Sequence, residues 1–208
     1  MQKHEYSLLG GINRAKIGRY LSIVAAIISA TIVFMLLAAV NLAQQFGIPA
    51  NLTPAVLSLV GAGTVFSVLY WLFDRYVWRW SYLGDLLKVP DLRGNWQCIG
   101  QTLNADGSQS YAWEGTVTIV QSWDRLRVRL KTKQSGSNSI AAAIIYDEAD
   151  GYQLLYNYRN DPFIGETELK SHLGFASLTF SKDKKSANGE YFNGHGRFTF
   201  GTMILTRI

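Results

Sequence analysis

The chain has 208 residues, 48% of them hydrophobic and 17% charged, with a formal net charge of +5. Six basic against two acidic residues precede position 85, and 14 against 13 lie from Asp85 onward, so the excess flanks one segment and is not the broad basic footprint of a duplex DNA- or RNA-binding protein. A single cysteine, Cys98, excludes an intramolecular disulfide and suits a reducing compartment; its neighbours read as a strand, which places it in a core.

From Tyr20 to Phe73 the chain carries no Asp, Glu, Lys, Arg or His over 54 residues. Two apolar blocks, 21–40 and 55–73, each have the length of about 20 helical residues that spans a bilayer core. Between them, residues 41–54 hold Gly47, Pro49 and Pro54 as turn and helix-start signals. This pattern predicts a transmembrane hairpin with spans at about 20–41 and 54–78. Lys3, Arg14, Lys16 and Arg19 precede the first span, Arg75 and Arg79 follow the second, and the connecting loop is uncharged. The positive-inside rule then puts both termini of this multi-pass chain in the cytoplasm and the connecting loop outside. Asn51-Leu52-Thr53 matches a glycosylation sequon by composition alone. No ionisable group lies in either block, which argues against a built-in ion pathway.

Small residues recur at i, i+4 within the blocks: Ser22, Ala26 and Ala30; Ser58 and Ala62; Gly63 and Ser67. Such faces let helix backbones approach closely in lipid, either within the hairpin or between several hairpins. Tyr70, Trp71, Phe73, Tyr76, Trp78, Trp80 and Tyr82 crowd the cytoplasmic exit, where aromatic rings settle at headgroup level. The second helix is expected to run to about Leu87 and to end before Val89-Pro90, because the residue preceding a proline avoids the helical region. The chain thus divides into a hairpin, 1–88, and a cytoplasmic domain, 89–208.

Beyond Asp91, apolar and polar residues alternate and glycines punctuate. The alternation predicts eight strands at 94–103, 110–121, 125–133, 139–147, 151–159, 169–181, 189–193 and 197–207, joined by turn chemistry such as Asn104-Ala105-Asp106-Gly107 and Ala187-Asn188-Gly189. The fold class is a membrane-anchored all-β protein: a two-helix transmembrane hairpin followed by an eight-stranded up-and-down antiparallel β-barrel, whose closure removes exposed edges. A two-sheet sandwich is the alternative. Eight strands leave an interior that is just filled or holds one small ligand.

Leu126, Val128 and Leu130 alternate with Arg125, Arg127, Arg129, Lys131 and Lys133. That row of cations is either a solvated outer face or a groove for phosphates. In the fifth strand Tyr152, Leu154, Tyr156 and Tyr158 share one face, and buried tyrosine hydroxyls need partners. Three histidines, His4, His172 and His195, are scattered. There is no zinc-protease, nucleophile-elbow or P-loop motif, so the chain reads as a non-enzyme with no metal and no cofactor. Asn193-Gly194-His195-Gly196 reads as a turn, and Asp147, Glu148 and Asp150 as a solvated turn lacking EF-hand spacing.

Gly94-Asn95-Trp96 opens the first strand as the Gly-x-Trp signature opens a lipocalin barrel, and Arg207 stands where a lipocalin arginine covers that tryptophan. Two N-terminal transmembrane helices and a compact barrel within some 200 residues resemble the CBASS antiphage effector family with two transmembrane helices and a minimal lipocalin-like barrel, the CD-NTase-associated protein 15 family. The likeness covers nearly the whole chain as architecture. It implies that the barrel binds a cyclic dinucleotide made by a CD-NTase, that the protein then forms a homo-oligomer, and that it disrupts the lipid bilayer in antiviral defence. Such a ligand offers two bases and two phosphates, which want aromatic platforms and one or two cations. On that expectation Trp113, Tyr152, Tyr156 and Tyr158 supply aromatic surface, Arg197 (or else Arg159) meets phosphate, and Tyr191 and Thr199 add hydroxyls. For each of these residues a structural role stands open beside the binding one. Two other functions fit the same residues: a tethered carrier of lipid or another hydrophobic ligand, and a filled anchoring and interaction module.

Overall fold

The computed structural model describes residues 3–194 and 197–208. Its contacts divide the chain into two units: residues 12–78, and the residues up to Gly11 together with those from Arg79 to Ile208. The chain therefore leaves the second unit at Gly11 and returns to it at Arg79.

The first unit is helical. Helix α1 spans Arg14–Gln45, with the Asn13 side chain accepting from the Ala15 amide at its start. The second apolar block is not one continuous helix, contrary to the expectation of a single helix to about Leu87. It forms α2 (Pro54–Leu59) and α3 (Ala62–Arg75), separated at Val60 and Gly61. A 3₁₀ turn, Val77–Arg79, follows, and after it α4, Ser81–Leu87, belongs to the other unit. A broken helix in apolar surroundings needs a partner for each freed backbone group. Ser29, buried on α1, supplies one: its hydroxyl donates to the Val60 carbonyl at 2.5 Å. The two runs Arg14–Gln45 and Pro54–Arg79 are long and apolar enough to cross a membrane. Helix α1 packs on α3, and the small residues buried on α1 are Ala25 and Ser29. The stripe Ser22, Ala26, Ala30 stays exposed, as do Ser58, Ala62, Gly63 and Ser67.

Among the described residues, the second unit is a closed sheet of nine strands, not eight. Strand β1, His4–Leu9, precedes the membrane helices. The others are β2 (Gly94–Leu103), β3 (Gln109–Gln121), β4 (Arg125–Lys131), β5 (Ser135–Asp147), β6 (Gly151–Pro162), β7 (His172–Phe180), β8 (Ser186–Asn193) and β9 (Phe200–Arg207). β2 to β9 pair antiparallel in chain order, and β9 returns to β2. The seam lies between β4 and β5. These pair only near their shared turn, Arg129–Lys131 against Gly136–Asn138, and then diverge. β1 fills the gap, antiparallel to β4 at His4 and Glu5 and parallel to β5 from Tyr6–Ala142 to Leu9–Ile145. Its inward Tyr6 is buried and donates to the Ser122 carbonyl. Gln121, also buried, joins the seam to the linker: its carbonyl oxygen accepts from the Leu92 amide, and its amide nitrogen donates to the Pro90 carbonyl and Tyr6 hydroxyl.

Inward positions of the strands form one core that includes Leu92, Trp96, Cys98, Val117, Leu126, Ile144, Leu154, Leu178 and Leu205. Burial pushes the Cys98 thiol up to about 12, so it stays protonated. Trp96 has no exposed surface, and the Arg207 guanidinium lies 5.2 Å from its ring centroid. Arg207 also donates to the Arg93 carbonyl. Gly94 takes φ 132°, a backbone conformation that side chains rarely adopt.

Candidate functional site

The barrel interior is not filled. A cavity of about 680 Å³ opens among strands β2 to β9, within the 300–1,000 Å³ range of small-molecule sites. Strand alternation sets its lining. On β6, Tyr156, Tyr158 and Asn160 point inward, while Asn157 and Arg159 point out. On β3 the inward residue is Trp113, and on β8 it is Tyr191.

Two aromatic rings sit where the neighbouring strand has no side chain. Trp113 pairs with Gly100, and a Cβ there would lie 2.1 Å from the indole. Tyr158 pairs with Gly174, and a Cβ there would lie 2.4 Å from the ring. Each glycine thus lets a ring lie down against the wall.

Polar contacts then hold the rings. The Trp113 indole N–H donates to the Tyr191 oxygen at 3.1 Å, and Tyr191 shares a 2.7 Å hydrogen bond with the Thr102 hydroxyl. Tyr158 donates to Asn193 Oδ1 at 2.8 Å, and Asn193 in turn donates to the Thr199 hydroxyl at 2.8 Å. Burial raises the phenol pKa values of Tyr156 and Tyr158, so both remain neutral. The cationic groups of the lining are Arg197, which donates to the Tyr111 hydroxyl, and Lys133. His172 is held neutral chiefly by burial, with Arg197 adding to the effect. Glu114 is the carboxylate of the lining.

Of the residues singled out in the sequence, Trp113, Tyr156, Tyr158, Tyr191 and Arg197 meet in this cavity. Three do not. Thr199 stands behind Asn193 as its acceptor. Arg159 is exposed on the outer face and pairs with Asp161 at 3.0 Å, because it is odd in the alternation that turns Tyr158 inward. Tyr152 lies at the turn end of the β5–β6 hairpin, in a second hollow of about 310 Å³ beside Tyr146, Lys88 and Lys184. The cation row of β4 faces outward: Arg125, Arg129 and Lys131 are exposed, and Arg127 donates to Asn138 at 2.6 Å. His195 and Gly196 lie outside the described residues.

The sequence reading missed the polar part of the lining: Ser135, Ser137, Asn160, His172 and Asn193. Residues 135–138 fall between the strands expected at 125–133 and 139–147, yet they open β5. The alternation of Ser135, Ser137 and Ser139 was the available signal, and all three are buried.

Two family models match the chain. One, described as the Cap15 cyclic dinucleotide receptor domain, covers residues 87–207; the other, described as the Cap15 TM helices, covers 15–79. CD-NTase-associated protein 15 of Yersinia aleksiciae is 49% identical over 208 residues, which is 100% of this chain and 99% of that protein. An aromatic-walled barrel cavity on a two-helix membrane segment accords with these matches, and the chain belongs to the CD-NTase-associated protein 15 family.

Proposed function

We propose that this protein is an antiphage effector of the CBASS type, whose barrel cavity is the receptor for a cyclic dinucleotide made by a CD-NTase. The observation that carries the reading is the cavity itself, lined by Trp113, Tyr156, Tyr158 and Tyr191 and also by Arg197 and Lys133, inside the segment that matches a cyclic dinucleotide receptor domain. Aromatic faces stack bases at about 1–3 kcal/mol each. Arginine and lysine answer the two phosphates. The barrel is of lipocalin type, with Trp96 under Arg207 closing one end of the core.

Ligand binding drives homo-oligomerisation through the exposed small-residue faces of the hairpin, and the assembly disrupts the inner membrane. Both termini lie in the cytoplasm, where the messenger is made. A carrier of apolar lipid would want an apolar cavity, and Asn160, His172, Lys133 and Arg197 argue against it. A purely anchoring module would have no use for 680 Å³ of unfilled space.

Thermal unfolding of the full-length protein against a panel of cyclic dinucleotides tests the reading. A ligand at a hundred times its Kd stabilises the folded state by about 2.7 kcal/mol. The expected result is a shift with at least one member, lost in Arg197→Ala. No shift with any member, alongside a shift with fatty acids, would replace this reading by the carrier.

A further inference from the structure

Across three adjacent strands the cavity wall carries one polar row. Ser137 on β5 pairs with Asn160 on β6, and Asn160 pairs with His172 on β7. All three are at least 93% buried, and all three line the cavity. Such residues are costly in a barrel interior unless their hydrogen bonds are met. His172 meets part of its need at the Lys170 carbonyl, 2.8 Å from Nδ1. Asn160 does not: its amide nitrogen Nδ2 is buried and has no hydrogen-bond partner among the described residues. It follows Tyr156 and Tyr158 on the inward face of the same strand, so Asn160 stands on the wall that carries two aromatic rings.

We infer that Asn160 is the specificity-determining residue of the cavity, its amide donating to an acceptor on the edge of one ligand base. This rests on the cyclic dinucleotide reading above. The chemistry favours a base edge over a phosphate, because the cations that meet anions are Arg197 and Lys133, whereas Asn160 is neutral and belongs to a neutral row. A carboxamide presents a donor beside an acceptor and so matches a base edge bidentately. Stacking on tyrosine faces is tolerant of base identity, because every base has a π-face. Discrimination must therefore come from an edge contact, and a buried unmet donor rejects a base that cannot answer it. One such donor for a ligand with two bases means that the two bases are read unequally.

The test measures binding of cyclic di-UMP, di-GMP, di-AMP and di-CMP to the full-length protein, its Asn160→Leu and Asn160→Ala variants, and the outer-face control Arg129→Ala. Wild type and Arg129→Ala are expected to share one ranking of the four. Both Asn160 variants are expected to lose about tenfold or more for the preferred ligand and to flatten the ranking. Without ligand, Asn160→Leu is expected to melt about 2–4 °C higher, since the change removes an unmet buried donor at similar volume. Wild-type affinity and ranking in either folded variant would overturn the inference while leaving the receptor function intact. A lower melting temperature of ligand-free Asn160→Leu, with the ranking kept, would make Asn160 a structural residue. Failure of wild type to bind any of the four, or the mixed cyclic UMP–AMP and GMP–AMP tested beside them, would remove the receptor reading and this inference with it.

Discussion

At the scale of the residue, the cavity depends on what two glycines leave out. Gly174 admits the Tyr158 ring, which then reaches Asn193. Gly174→Val is expected to push that ring off the wall, at a cost of about 1–3 kcal/mol in stability, and to weaken cyclic dinucleotide binding. Thermal melts and titration of the same sample check both effects, and an unchanged affinity would separate the ring from the ligand. His172 gives a pH dependence. Its folded pKa lies below the ordinary 6.5, chiefly because burial disfavours the cation. The unfolded chain then binds more protons than the native one below pH 6.5, so stability is complete above 6.5 and is lost as pH falls toward the folded pKa. Arg197 adds to the depression, while the Lys170 carbonyl, the Asn193 side chain and Asp161 oppose it. His172→Gln is expected to flatten the melting temperature below about pH 6.5; an unaltered slope would assign it elsewhere. Tyr156, Tyr158 and Arg197 stood out in the sequence as residue types suited to stacking and phosphate. Asn160 and His172 did not, because a lone amide or imidazole carries no sign of which face it will occupy.

At the scale of the element, β1 is the surprise. It is six residues long, and its partners lie more than 110 positions away in β4 and β5. The pattern Tyr6, Leu8 against Glu5, Ser7 is too short to distinguish from a polar tail beside the positively charged membrane flank. Only the divergence of β4 from β5 creates the place it fills. Removing residues 1–11 is expected to bare the edges of both strands and uncover the site of Tyr6, with a loss of about 3–5 kcal/mol. A peptide of residues 3–11 added to the isolated 79–208 segment is expected to raise its melting temperature. No response to the peptide would show that the seam closes without β1. The break at Val60 and Gly61 was equally hidden, because hydropathy registers apolarity and not the backbone bond that Ser29 completes.

At the scale of the molecule, the chain leaves the barrel unit at Gly11 and rejoins it at Arg79. A hairpin whose two ends return to one folded unit is expected to begin and end on one side of the membrane, in keeping with the basic flanks. In a Cys98→Ser background, Asn51→Cys is expected to react with a membrane-impermeant thiol reagent on spheroplasts. Lys182→Cys is expected to react only after lysis. The reverse pattern would invert the orientation.

The succession of β2 to β9 and the presence of two long apolar runs were legible in the sequence, because local periodicity and span length carry them. Which polar groups face the interior, where β1 inserts, and that Tyr152, Arg159 and Thr199 stand apart from the cavity were decided only by tertiary structure. Register assigns every side chain to one wall or the other. It is set by pairing between distant strands, by the bulge between Ser139 and Ala141, and by the glycines on which rings come to rest.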